Sequence, residues 1–508
     1  MGFAGVLFAE TCTGGNCTDE KGTLTCSDGS TYVREFKNGK FDGQGTLTYP
    51  DGGVYVGEFR EGRRDGPGKL TRPDRMEYDK FKIFKKQLDY IINSELDKVN
   101  EKKFRSLLSP HQFTEGARKF LRGKCASEVN ADELYFATPS FDVLYDFLKP
   151  RLKDMLVRDD GVPRQGGRGR LYAWYWGFWG RAAVYLYGAS GQPRFLDLLV
   201  DTYNRLLAQR DDRLNLVDGE RGEVVPSWGT QFDDGTRANE VTTAGLITLP
   251  VCQFMQFAER DPNLKKRYSD VLPKFRREAL KTLSYFLKEM RSRPDVPGGY
   301  FYHLTDNIVE PLNHSHVYGA ALARCAKFET GTRYEKAVEK LSDFFKAAIT
   351  EGENGAYSWP YKPTPDEMRQ PDMPEAFWKA SVTIELPVAA YAEHIAFSYS
   401  DMRAFAKTLT ENVHRGKGRI AQFISPSRPK ILDQEKFRSR LSLPAGITSW
   451  LMLECVVPDV RNHVIYMMTK NPKLFPNAWF GGNRKMLFML SVMLYHETEG
   501  GCREYDNK

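Results

Sequence analysis

The sequence predicts a mainly α chain of repeating helical hairpins, preceded by a small N-terminal β-hairpin repeat module. Three observations carry this. Apolar residues recur at helical spacing over most of the 508 residues. A short motif rich in Gly, Tyr, Val and Phe repeats near the start. A longer period of about 70 residues runs through the remainder.

Composition sets the frame. Apolar residues at 41% suffice for a large interior, and charged residues at 27% are ordinary for a globular surface. The aromatic share is high at 13%, with 8 Trp and 25 Tyr. Aromatic rings fill cores, and they also stack on hydroxyl-rich rings in grooves. The net charge of +7 is dispersed, with Lys and Arg interleaved with acids as in Glu335 to Lys346. No basic stripe marks a nucleic-acid surface, so no nucleic acid is expected as a partner, and an acidic polymer is mildly favoured. No window holds about 20 uninterrupted apolar residues, so no membrane span is expected.

Met1 to Ala9 is apolar without a basic flank, which fits a trimmed signal remnant or a first strand. A disulfide between Cys12 and Cys17 would suit an exported bacterial protein, periplasmic or extracellular. The remaining Cys, mostly on apolar helical stretches, read as buried thiols. No CxxC or HExxH pattern marks a metal site, and no P-loop or GxGxxG in βαβ context appears, so neither metal nor cofactor is expected.

Asp28-Gly29-Ser30-Thr31-Tyr32-Val33-Arg34-Glu35-Phe36 returns 23 residues later as Asp51-Gly52-Gly53-Val54-Tyr55-Val56-Gly57-Glu58-Phe59. Asn38-Gly39-Lys40, Gly43 and Gly45 return as Glu61-Gly62-Arg63, Gly66 and Gly68. Alternating Tyr, Val and Phe with Asp-Gly and Asn-Gly turns describes stacked hairpins. These residues resemble the MORN repeat, over 22–72 at most. The resemblance implies an attachment module for a protein or membrane surface; a stabilising β-cap is the plainer alternative. The module is placed at 1–74.

Residues 75–130, rich in Lys, Glu, Asp and Leu, predict a helical linker (Phe81, Phe84, Leu88, Ile91, Leu96). Residues 131–508 alternate long apolar helices with Gly- and Pro-containing loops. Breaks near 191, 261, 331, 401 and 471 are spaced by 70, and the helices before them begin near Tyr172, Glu240, His314, Lys379 and Trp450. Each unit is thus an inner helix, a turn, an outer helix and a long return loop. Such hairpins stack into a solenoid or close into a ring, and long loops rich in Trp, Asn, His and Gly favour the ring. Thr330-Gly331-Thr332-Arg333-Tyr334-Glu335-Lys336-Ala337, after the Asn313-His314 helix start, is similar to the (α/α)-toroid polysaccharide-active enzymes. These include C-terminal domains of glucuronyl C5-epimerases and several lyases and hydrolases. The resemblance implies an (α/α) toroid with a carbohydrate site at one mouth.

Free N–H groups at converging helix starts favour anionic or hydroxyl-rich ligands. Four segments qualify. In the first, Arg168 and Arg170 are set to hold a carboxylate, and the consecutive Trp174, Tyr175 and Trp176 cannot all face a core. The second runs from Trp228-Gly229-Thr230 through Asp233-Asp234-Gly235 to Arg237-Ala238-Asn239-Glu240. There Asn239 is either a helix cap or a ligand, and Glu240 suits the dipole or a catalytic acid. The third, Glu310 to Gly319, groups Glu310, Asn313, His314, His316 and Tyr318; its plain reading is a cap plus one buried His. In the fourth, Tyr357, Trp359 and Tyr361 alternate onto one side of an extended segment, a stacking platform or a loop packed on itself. Glu375, Trp378 and Lys379 follow, with Lys379 partly desolvated as base or carboxylate partner and Glu385 pointing inward.

The leading expectation is action on an acidic, uronate-containing polysaccharide by epimerase- or lyase-type proton abstraction. Arg237, Asn239 or Asn313 would neutralise the carboxyl, His314 or His316 act as base, and Tyr318 or Tyr361 as acid. The alternatives are a glycoside hydrolase pairing two of Glu240, Glu310 and Glu375, and a non-catalytic polysaccharide-binding or assembly protein.

Overall fold

The computed structural model describes residues 11–25, 31–48, 54–60, 63–71, 141–154, 168–232, 235–303, 308–369, 373–417, 419–426, 444–457, 459–470, 491–492 and 495–496. The predicted linker at 75–130, the segment Met1 to Ala9, and Asp233-Asp234 lie outside the described residues. The chain divides into two compact units, Met1–Ile83 and Phe84–Asn507.

The first unit is one antiparallel meander of six strands: β1 (Thr11–Gly15), β2 (Lys21–Thr25), β3 (Thr31–Lys37), β4 (Lys40–Thr48), β5 (Val54–Arg60) and β6 (Arg63–Thr71). The 23-residue repeat sets its register. Leu24 opposes Tyr32, Tyr32 opposes Leu47, Leu47 opposes Tyr55 and Tyr55 opposes Leu70. Leu24, Tyr32 and Leu47 therefore share one sheet face. Tyr32 is fully buried there, stacked on Phe41 at 3.9 Å and edge-on to Phe36 and Phe59. Gly45 lies beneath the ring, where a Cβ would come within 2.2 Å of the phenol oxygen, so only glycine fits. Cys12 and Cys17 are joined as a disulfide.

Among the described residues of the second unit, α1 (Phe141–Asp154) comes first, followed by helical hairpins. The inner helices are α2 (Gly169–Ser190), α5 (Val241–Arg260), α8 (Leu312–Cys325) and the pair α10 (Phe377–Thr383) and α11 (Glu385–Ala392). A 3-10 segment at Pro444–Leu453 takes the fifth inner place. The outer layer holds α3 (Arg194–Ala208), α6 (Pro262–Arg267), α7 (Leu272–Leu287), α9 (Arg333–Ala348), α12 (Tyr399–Lys407) and α13 (Asp459–Lys470). A short turn of helix, α4 (Asp211–Leu214), follows α3.

Each inner helix packs on the next: α2 on α5, α5 on α8, α8 on α10 and α11, and α10 on the 3-10 segment. The circle then closes. Arg181 of α2 reaches Glu385 of α11 at 2.7 Å and the Met452 sulfur at 2.9 Å, and Tyr495 packs on Tyr185 and Phe257. The unit is an (α/α) toroid, and Arg181 and Glu385 are buried within it.

The 70-residue period reappears as contact geometry. Residues about one period apart touch across neighbouring hairpins: Arg170 with Glu240, Arg267 with Asp197, Lys274 with Asn204, Trp176 with Ile247 and Arg324 with Glu393. Cys252 and Cys325, separated by 73 residues, form a disulfide that ties α5 to α8. This corrects their reading as buried thiols: one period brings equivalent positions of adjacent inner helices within bonding reach. Cys455 is also disulfide-bonded.

Helix α5 is long and apolar enough to cross a membrane by length and composition, although Thr248, Gln253 and Gln256 interrupt its apolar run; 94% of its apolar stretch is buried inside the ring. An inner helix is apolar all round because neighbours surround it. Its approach to α8 is close enough that a Cβ on Gly245 would meet the Tyr318 backbone nitrogen at 2.5 Å. The return loops hold short two-stranded ribbons, Thr230–Gln231 with Arg237–Ala238 and Tyr302–His303 with Ile308–Val309 among them.

Candidate functional site

The inner helices α2, α5, α8 and α10 begin without any side-chain cap. Outer helices α6 and α12 start with an Asp261 cap and a Ser398–Asp401 capping box. Outer α3, α7 and α9 also lack a cap, and at the inner starts return loops take the first N–H groups: Gly169 donates to Gly229, Arg170 to the Thr230 hydroxyl, Leu312 to Tyr361 and Phe377 to Gln422. Asn239 is not the cap of α5. Glu240 occupies that position, and the Asn239 amide donates to Asp211 at 3.0 Å and Asp218 at 3.2 Å.

Several predicted residues converge at these starts. Arg170, in the first turn of α2, forms a two-point pair with Glu240, at 2.6 Å through Nε and 2.5 Å through Nη2. The Arg170 side chain stays 47% exposed while Glu240 is buried. Hydrogen bonding to Glu240 raises the pKa of Arg170, and Glu310 adds to the same field. Glu310 is buried and bonds His314 Nδ1 at 2.9 Å, one turn into α8. The Leu312 N–H donates to the Tyr361 carbonyl at 3.3 Å, which holds the Tyr361 segment over the same helix start. Tyr361 is half-buried; burial, with Glu375 and Glu310 nearby, pushes its phenol up to about 12. The Lys379 ammonium sits 3.6 Å from the Tyr361 ring centre, and burial lowers its pKa. Arg170, Glu240, Glu310, His314, Tyr361 and Lys379 thus form one linked set across four helix starts. Arg168, exposed, is paired in backbone register with Thr230 beside it.

Other predicted residues do not join this set. His316 is buried, bonds the Thr383 carbonyl at 2.7 Å and is held down to about 4 by burial. Tyr318 is fully buried with its hydroxyl on the Leu283 carbonyl. Trp176 and Trp228 are core, their indoles donating to the Ile247 and Leu206 carbonyls. Arg237 is buried in a two-point pair with Asp211. Neither His316 nor Tyr318 is placed to exchange a proton with a ligand, and Arg237 already neutralises a carboxylate of the protein.

The three-ring platform is corrected as well. Trp359 is 2% exposed and donates from Nε1 to Glu375 at 2.6 Å, while Tyr357 bonds Asp401 and packs edge-on to Phe405. Tyr357 and Trp359 both pack on Phe405 in the interior, whereas Tyr361 lies against Lys379, so the three rings do not form one open face. Glu375 is fully buried, accepting from Trp359 and from the Thr383 hydroxyl at 2.8 Å, and burial pushes its carboxyl up to about 8. It anchors the loop: its N–H donates to the Trp359 carbonyl, its carbonyl accepts from Ile424, and Tyr361 pairs with Met373. Trp174 and Trp378 are half-buried, Trp174 stacked on Phe178 and Trp378 edge-on to Phe377. Asn313 is buried, and no protein group bonds its Oδ1.

Sequence reasoning missed the support around Glu240. Asp218 accepts the Glu220, Arg221 and Asn239 N–H groups, and Arg221 bridges Asp218, Glu289 and the Asn239 carbonyl. This turn sets Glu220 within the field of His303, Arg221 and Glu240, with burial raising its carboxyl. The signal was the Asp-Gly-Glu-Arg-Gly run at 218–222, a turn whose Asp side chain accepts from the following N–H groups. Among the described residues no group of three or more His, Cys, Asp or Glu has metal-binding geometry.

A family model for the MORN repeat matches residues 35–54 and 55–76. No curated protein matches the chain. Among solved structures, the chain is similar to the crystal structure of a family 76 glycoside hydrolase from a bovine Bacteroides thetaiotaomicron strain. The two share 12% identity with a TM-score of 0.39, over 88% of this chain and 87% of that one. Residues 35–76, which hold strands β4 to β6, are MORN repeats.

Proposed function

We propose that the protein is a polysaccharide-active enzyme whose site is the mouth formed by the starts of α2, α5, α8 and α10. The reaction proposed is proton abstraction beside a uronate carboxyl, as in an epimerase or lyase. The observation that carries this is the Glu310–His314 bond at 2.9 Å. A carboxylate on Nδ1 fixes the tautomer with its proton there and leaves Nε2 as an acceptor, the form a base requires. Arg168 and Lys379 supply positive charge for the sugar carboxylate, Arg170 being paired with Glu240, and Tyr361, protonated at neutral pH, is the acid. The disulfides support export to an oxidising compartment.

A second reading rests on Glu240 and Glu310, two buried carboxylates at consecutive inner-helix starts, both within the field of Arg170. A hydrolase would use them as acid and base. Assays on uronate-containing and neutral glycans separate the readings. Lysis creates an ultraviolet-absorbing double bond, epimerisation incorporates deuterium from heavy water at the abstracted position, and hydrolysis yields reducing ends alone. His314→Ala is expected to lower kcat by about 10²–10⁴-fold with ligand binding retained. Full turnover in that variant overturns the proposal, and binding without any turnover in the wild type leaves an assembly protein.

A further inference from the structure

Most arginines of the ring meet an acid, as Arg170 meets Glu240, Arg221 meets Asp218 and Glu289, and Arg237 meets Asp211. One turn departs from this. Between Glu411 and Asp433 the sequence holds Arg415, Lys417, Arg419, Arg428 and Lys430 and no acid. Lys417 and Arg419 are exposed and Arg415 is half-buried, and among the described residues no carboxylate pairs with any of the three. Arg415 Nε and Nη2 meet no acceptor, and Arg419 donates to the Arg415 carbonyl instead of to an acid. The facing side chain from α13 is His463, whose Nδ1 lies 2.8 Å from that of His414, and Asp459 beyond it is engaged by His463 Nε2 at 3.1 Å.

Backbone bonds carry this turn to the mouth. Outer helix α12 runs back toward the helix-start end, and a π-helical extension, Thr408–Val413, continues it to His414. Ala421 donates to the Val413 carbonyl and His414 faces Ile420, which closes a hairpin. Its second strand lies along the start of α10. The Phe377 N–H donates to the Gln422 carbonyl and the Ile424 N–H to the Glu375 carbonyl, each at 3.1 Å, and Ala376 faces Phe423. Arg419 is three residues from Gln422, about 10 Å of extended chain, and Lys379 is two residues beyond Phe377. The cations of the turn thus stand on the same rim as Lys379. Lys417 holds a φ of 49°, a left-handed conformation that turns usually give to glycine or asparagine, so a lysine is kept where a strain-free residue would serve the turn alone.

We propose that Lys417 and Arg419, in the field of Arg415, form an outer subsite for carboxylates of the acidic polymer, beside the reacting unit at Lys379. Three uncompensated positive charges on one short hairpin attract a repeating anion, and a guanidinium takes a carboxylate at two points. A neutral glycan gains nothing from them. The inference rests on the reading of the mouth as a uronate site, and it adds that the polymer leaves the mouth over the start of α10.

The test uses the full chain as wild type, as Lys417→Gln with Arg419→Gln, and as a control, Arg260→Gln with Lys266→Gln. The control removes the same charge from exposed positions at the far end of α5 and on α6. Calorimetric titration with a uronate disaccharide and a uronate octasaccharide is read at low salt, with thermal melts reporting folding. An exposed cation contributes about two- to fivefold in affinity. The turn variant should therefore weaken octasaccharide Kd by about five- to tenfold and leave disaccharide Kd unchanged, while the control changes neither. An unchanged octasaccharide Kd overturns the subsite, and so does an equal loss in the control or for the disaccharide. Inorganic polyphosphate bound as tightly as the octasaccharide also overturns it, since the turn is then a general anion patch. Lys417→Gln alone repeats the comparison if the double variant does not fold. Wild type that binds disaccharide and octasaccharide equally removes the subsite only; wild type that binds neither removes the uronate reading as well.

Discussion

Glu375 offers a sharp test of how the site is held. Its carboxyl is fully buried on the Trp359 indole and the Thr383 hydroxyl, with its pKa pushed up by burial to about 8. An unfolded glutamate titrates at 4.5. The folded state therefore prefers the protonated form, so this contribution to stability is complete below pH 4.5 and is lost as pH rises toward 8. A displacement of about 3.5 units at 1.36 kcal/mol each corresponds to at most about 5 kcal/mol. Glu375→Gln resembles the protonated acid and does not titrate. Denaturant unfolding of both proteins at intervals from pH 4.5 to 9 isolates the effect, because all other titrations cancel in the difference. The variant should match the wild type within about 1 kcal/mol at pH 4.5 and exceed it by several kcal/mol at pH 9. A difference that does not change with pH refutes the account, and one that grows toward acid pH reverses its sign.

Other consequences are as direct. Replacing Cys252 and Cys325 by Ser opens a loop of 73 residues and should cost about 4 kcal/mol, read as a lower denaturation midpoint that reductant reproduces in the wild type. Arg181→Met leaves Glu385 buried without its partner at 2.7 Å and should destabilise by about 3–5 kcal/mol. Joint replacement of both residues by apolar ones should recover much of that loss in the same unfolding assay. Gly245→Ala drives a methyl against the Tyr318 and Val317 backbone and should cost about 1–3 kcal/mol, measured by thermal unfolding.

The architecture was legible because repetition leaves two independent marks. A period of 23 residues in a strand region predicts that equivalent positions fall in register, and Leu24 opposes Tyr32 as Leu47 opposes Tyr55. A period near 70 in a helical region predicts that equivalent positions touch across adjacent hairpins, as Arg170 with Glu240 and Cys252 with Cys325 do. Ring closure was not written locally. It depends on Arg181 meeting Glu385 across 204 residues, a separation that no short window contains.

The site was half legible, and the failures share one physical cause. Helix starts expected near Tyr172, Glu240, His314 and Lys379 fall within three residues of the observed ones, because N-terminal positions follow from periodicity, while the one expected near Trp450 lies inside the 3-10 segment Pro444–Leu453. Which residue of each start faces the opening depends on helical phase against neighbours, and the sequence does not print that phase. His314 is partly open and bonds Glu310, while His316, two residues on, is turned into the ring against Thr383. The same ambiguity misled the aromatic reading. Period-two spacing of Tyr357, Trp359 and Tyr361 specifies a common side without specifying whether that side is wet. Trp359 shows the decisive factor, since an indole N–H 2.6 Å from a fully buried carboxylate fixes the ring as a strut. Rings and charges at such a mouth divide into those that brace the loops and those that meet the ligand. Trp359, Glu375 and Arg237 brace. His314, Lys379 and Tyr361, held by the braced loops and still partly open, are the residues on which the proposed reaction rests.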